Sequence, residues 1–81
     1  MTTTASSPVL VRVATPDDAR AIARLAALDS APTPSGRLLL AEVGGAVRAA
    51  VRVSDRAAIA DPFEPTAGLV ALLRARASQL A

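Results

Sequence analysis

Eighty-one residues with 52% hydrophobic content and a net charge of +2 describe one small domain, close to the lower size limit for a self-sufficient core. Cysteine, histidine, lysine and tyrosine are absent, which excludes disulfides, thiol chemistry and zinc sites built on nitrogen and sulfur donors. All nine basic residues are arginine, so the high isoelectric point reflects missing buffering groups more than a basic surface.

Nearly half of the apolar content is alanine, and Phe63 is the only aromatic residue. Alanine lets elements approach closely but buries little area, and at roughly 25 cal/mol per Å² the expected core is thin. Help from oligomerisation is therefore expected. The alanine-rich, all-arginine usage also points to a GC-rich, bacterial-like coding genome. Residues 1–8 read as a disordered polar tail without the apolar segment of a secretory signal, and residues 9–81 as one domain. The longest apolar run, 69–73, falls far short of the roughly 20 residues that a membrane span needs, so a cytoplasmic location is expected.

Val9, Val11 and Val13 alternate with Leu10, Arg12 and Ala14, the period of a half-buried strand. Thr15-Pro16-Asp17-Asp18 signals a helix start: Thr15 as cap, Pro16 at the first helical position, Asp18 as an acidic capping-box partner. Asp17 and Asp18 also suit the positive end of the helix dipole. Ala19, Ile22, Ala23, Leu25, Ala26 and Leu28 form the apolar stripe, and Pro32 and Pro34 predict an end near Leu28 or Asp29. After a turn-rich linker, strands over 37–43 and 46–53 flank Gly44-Gly45, a two-residue hairpin turn. Val47, Ala49, Val51 and Val53 are predicted on one face of the second strand, with Arg48, Ala50 and Arg52 on the other. Ser54-Asp55-Arg56 turns into a short strand over 57–60. A last helix is predicted over 65–79, with Val70, Leu73, Ala77 and Leu80 facing the core, Leu69 and Leu72 widening that stripe, and Arg74 and Arg76 at its negative end. The predicted fold is a small α/β (α+β) domain, β-α-β-β-β-α, with a mostly antiparallel four-stranded sheet and two helices.

Two segments carry a resemblance. Val11-Arg12-Val13-Ala14-Thr15-Pro16-Asp17-Asp18-Ala19 is similar to the opening strand and capped first helix of the GNAT family of acetyl-CoA-dependent N-acetyltransferases. Leu39-Leu40-Ala41-Glu42-Val43-Gly44-Gly45-Ala46-Val47 resembles that family's second and third strands around a glycine hairpin. In order and spacing the resemblance covers about residues 9 to 60, the N-terminal half of such a domain, and implies a truncated GNAT-like fold. The family's fourth strand leads into an Arg/Gln-x-x-Gly-x-Gly/Ala loop, whose N–H groups bind the pyrophosphate of acetyl-CoA at a helix N-terminus. The junction Asp61-Pro62-Phe63-Glu64-Pro65-Thr66-Ala67-Gly68 departs from that pattern. Pro62 and Pro65 have no N–H to donate, and Glu64 brings negative charge to the phosphate position. The family's later strand and helix have no counterpart in the sequence, and its frequent tyrosine acid has none either.

The expectation is therefore a non-catalytic GNAT-like module that works through protein contacts, as a homo-oligomer or accessory subunit, without cofactor or metal. The alternative is an N-acetyltransferase whose acetyl-CoA site another chain completes, with Thr66, Ala67 and Gly68 facing the pyrophosphate. Glu42 and Asp61 are the acids placed on or at the ends of strands; with no His, Lys, Cys or Tyr to partner them as bases, they are expected to be solvated. Asp17, Asp18 and Asp29 are expected to serve helix ends. Arg12, Arg48 and Arg52 are expected on one sheet face, either as solvated arginines or as a patch for an anion or an acidic protein. Nucleic acid is not expected, since no aromatic stacking platform exists. The strand bearing Leu38 and Leu40 is apolar on both faces. If both helices pack on one face, Leu38 and Leu40 emerge as a partner surface; if they pack on opposite faces, both are covered.

Overall fold

The computed structural model describes residues 8–80. The expectation of a disordered tail over residues 1–7 lies outside them, while Pro8 is part of the sheet margin, its carbonyl accepting from the Gly44 N–H at 3.2 Å. In chain order the elements are β1 (Val9–Val13), a single 3-10 turn (Pro16–Asp18), α1 (Ala19–Leu28), β2 (Leu38–Val43), β3 (Ala46–Arg52), β4 (Ala58–Ala60) and α2 (Ala67–Leu80). The strands form one sheet in the order β1-β2-β3-β4, and every neighbouring pair is antiparallel. The order β-α-β-β-β-α is thus the one that the sequence pattern predicts, and the sheet is antiparallel throughout rather than mostly so.

Local chemistry explains the boundaries. Gly44 and Gly45 turn the β2–β3 hairpin at φ 59° and 86°, the two positive values that a type I′ turn demands. α1 ends in a Schellman arrangement. The Ala31 N–H reaches the Ala26 carbonyl at 2.9 Å, and the Ser30 N–H reaches that of Ala27 at 3.2 Å. Ser30 occupies the left-handed position at φ 52°, where glycine is the usual residue. Ala31 packs against the cluster that contains Ala26, the apolar contact that accompanies this motif. The helix therefore ends four residues ahead of Pro32, through hydrogen bonding rather than through proline alone.

The two helices cover opposite faces of the sheet. On one face Ile22, Leu25 and Ala26 of α1 pack with Leu38, Leu40, Ala50 and Ile59. On the other, Leu73 and Ala77 of α2 pack with Leu39, Ala41, Ala49, Val51 and Val53. α1 lies over β3 and β4, and α2 over β3 and β2, so β1 stands outside the main contacts of both helices. Leu38 and Leu40 are consequently buried, at 4% and 0% exposure, and offer no surface to a partner. The open choice between one-sided and two-sided packing is resolved by burial: β2 is apolar on both faces, and only a helix on each side removes both from water.

Three assignments along the pattern are corrected. Ala19, Ala23 and Leu28 are exposed, because α1 meets the sheet through the narrower stripe of Ile22, Leu25 and Ala26. Leu72 and Leu80 are also exposed, since α2 buries only Leu73 and Ala77 fully. Val47 does not share a face with Ala49 and Val51. Ala41 pairs with Ala49 but Glu42 pairs with Val47, so Arg48 is an extra residue in β3, and Val47 packs toward the α1 side. A bulge of this kind shifts the alternation by one residue and re-aims the side chains beside it.

Candidate functional site

A cluster of charged residues lines a groove of about 460 Å³ between α1 and the sheet. It is lined by Arg12, Glu42 and Arg48 from the strands, Asp18 and Arg24 from the α1 side and Asp61 from the end of β4. Three arginines and three carboxylates therefore face it, and the charges balance.

β1 supplies Arg12 because its even-numbered residues point to the α1 side, opposite Leu40 in register. The guanidinium grips the Asp18 carboxylate with both terminal nitrogens at 2.7 Å, and its Nε donates to Glu42 on β2. The bidentate fork is the geometry in which arginine binds carboxylate most strongly. Asp18 also accepts from the Thr15 N–H at 2.7 Å and from the Thr15 hydroxyl at 3.3 Å, the acidic arm of the expected capping box. Arg12, then the Thr15 N–H, hold the Asp18 carboxyl well below the ordinary carboxylate range. The same contacts with Asp18 and Glu42 push the Arg12 guanidinium higher still.

Ordinary alternation with Ala50 places Arg48 on the α1 side, where it donates to Asp61 at 3.0 Å. Asp61 is 5% exposed, and its other oxygen accepts from the Phe63 N–H at 2.8 Å. Glu42 is largely covered as well, with a side chain 17% exposed. The expectation of solvated carboxylates at Glu42 and Asp61 is thereby overturned. Each has an arginine partner that sequence distance conceals. Asp17 remains exposed at the helix start, while Asp18 and Asp29 serve more than helix ends. Asp29, at the C-terminus of α1, accepts from the Ala60 N–H at 3.1 Å.

Arg12, Arg48 and Arg52 do lie on one side of the sheet, but none is a solvated arginine on a bare face. Arg52 forms a two-point pair with Asp55 at 3.0 Å on both contacts. Arg52, together with the Ala57 N–H, lowers the Asp55 carboxyl to about 2. Among the described residues no buried side-chain polar atom lacks a hydrogen-bond partner. The arginines that the sequence offered as an anion patch are thus neutralised within the chain. Neither Arg74 nor Arg76 lies in the last turn of α2; the Arg74 Nε donates to the Arg56 carbonyl at 3.1 Å and ties α2 to the β3–β4 turn.

Thr66, Ala67 and Gly68 sit at the start of α2, with the Val70 N–H bonded to the Thr66 carbonyl at 2.9 Å. This helix start lies apart from the ionic groove, and a Cβ on Gly68 would meet open space. Phe63, beside it, is 78% exposed. Among the described residues no group of acids is placed to hold a metal ion, and no helix is long and apolar enough to cross a membrane. Comparison with protein-family models, with curated proteins and with solved structures finds no match to this chain.

Proposed function

We propose that this chain is a non-catalytic, GNAT-like cytoplasmic module that works through protein contacts, by self-association or as an accessory subunit, and uses no cofactor. The observation that carries the reading is the pairing of every carboxylate in the groove. A general base needs a lone pair free to take a proton and a pKa moved toward neutrality. Asp18 is moved the other way by Arg12, and Glu42 and Asp61 already accept from Arg12 and Arg48. The junction after β4 supports the same reading, since Pro62 and Pro65 offer no N–H to a phosphate and Glu64 adds a negative charge. Contact with protein is supported by the apolar side chains left exposed on β1.

Calorimetry with acetyl-CoA, run beside light scattering over a concentration series, tests it. The expected result is no heat of binding and a mass above that of the monomer, or a stable complex with a co-purified protein. Saturable heat with acetyl-CoA overturns the proposal in favour of an acetyltransferase completed by a second chain. A monomer at every concentration with no recovered partner overturns it as well.

A further inference from the structure

We infer that two copies of the chain pair through β1, antiparallel about a two-fold axis at Val11, to form one continuous sheet. The inference rests on the reading that the chain works through protein contacts, and names the surface.

Backbone phase supplies the first argument. The Ala14 N–H bonds to the Leu38 carbonyl and the Gly44 N–H to the Pro8 carbonyl, so even-numbered residues of this strand bond inward to β2. In an antiparallel ladder the residues between them turn both polar groups the other way. Val9, Val11 and Val13 therefore present N–H and C=O groups along the outer edge, and β2 is the only strand beside β1 among the described residues. Such a row is a template for another strand.

The opposite edge is protected and this one is not. β4 has three residues, Pro62 follows it closely, and Asp29 occupies the outward Ala60 N–H. β1 has five residues, no proline within it and no side chain turned back onto its edge among the described residues. Val9, Leu10 and Val13 are 48%, 54% and 40% exposed, and neither helix lies mainly over the strand.

Self-complementarity selects a second copy as the occupant. Centred on Val11, the pairing sets Val9 against Val13 of the second copy, Leu10 against its Arg12, and Val11 against itself. Valine meets valine on the α2 side, and on the α1 side the aliphatic stem of Arg12 covers Leu10. The strand's one charge is already neutralised by Asp18 and Glu42 within its own copy, so bringing two arginines near the axis adds little repulsion. The contact is isologous and closes after two copies.

Light scattering and sedimentation up to roughly 1 mM chain test the pairing. The wild type is expected to dimerise. Val9→Lys combined with Val13→Lys places like charges opposite each other twice and is expected to weaken the dimer about tenfold or more. Val9→Lys combined with Val13→Glu places opposite charges in the same register and is expected to restore it, which also shows that polar residues at both exposed positions leave the fold intact. Val11→Cys, in a chain that has no other cysteine, is expected to form a disulfide-linked dimer faster than Phe63→Cys, although Phe63 is the more exposed site. A dimer indifferent to both charge pairs, or faster cross-linking at position 63, overturns this inference and leaves self-association standing. A wild type that stays monomeric at every concentration overturns it outright, and the wider reading then depends on a recovered partner.

Discussion

The two faces of the sheet are built from the same strands but by different chemistry. Under α2 the cluster is aliphatic throughout, from Leu39 to Ala77. Under α1 the aliphatic cluster is joined by an ionic layer in which Arg12 and Arg48 meet Asp18, Glu42 and Asp61. Non-directional burial on the first face tolerates small shifts. The second is fixed by bidentate geometry, because a guanidinium serves two carboxylates only in one orientation. The difference teaches how a chain this short specifies its packing: one face supplies area and the other supplies register.

The sharpest test of that contrast is to damage each face in turn. Leu73→Ala on the α2 side and Leu40→Ala on the α1 side both remove fully buried side chains, and each should cost about 2–5 kcal/mol in chemical denaturation. A loss confined to one of them would mean that the other face is loosely packed. Next in size is Arg12→Met, which keeps much of the stem but leaves Asp18 and Glu42 without their cation. Its melting temperature should fall further than that of Arg52→Met, whose partner Asp55 is half exposed and hydrated.

Acid separates the faces without mutation. Asp18 and Asp55 have folded pKa values depressed below the ordinary 3.8, so their contribution to stability is complete above that value and is lost as pH falls through the folded values. Thermal melts should be flat near neutrality and decline from about pH 4 downward, and Asp18→Asn should flatten the decline more than Asp55→Asn. Ser30→Gly relieves a left-handed serine at the end of α1 and should raise stability by roughly 0.5–1 kcal/mol in urea titration. The smallest effect belongs to Phe63→Ala, within about 0.5 kcal/mol of zero by the same measurement, since the ring lies on neither face. A larger loss there would show that the junction after β4 packs against something.

Much of the fold was legible in the sequence because its signals are local. Alternating valines mark β1, Thr15-Pro16-Asp17-Asp18 marks the entry to α1, and Gly44-Gly45 marks the hairpin. The groove was not legible, for two physical reasons. Arg12 finds Glu42 thirty positions away and Arg48 finds Asp61 thirteen away, distances at which nothing in a one-dimensional pattern distinguishes a paired acid from a solvated one. The bulge at Arg48 also breaks the period-2 reading of β3, and no glycine or proline there announces it. The one available signal was charge balance: acids at Asp18, Glu42 and Asp61 accompany arginines on strands that otherwise carry aliphatic residues.

By itself, then, the sequence determined the order of elements, their approximate ends and the absence of His, Cys, Lys and Tyr chemistry, all of which follow from residue type and spacing of a few positions. Only the tertiary structure decided that Leu38 and Leu40 are interior, that Arg12, Arg48 and Arg52 are paired with carboxylates, and that β1 is the strand left uncovered. A strand apolar on both faces fits one-sided and two-sided packing equally well until helices of fixed length must bury both faces at once.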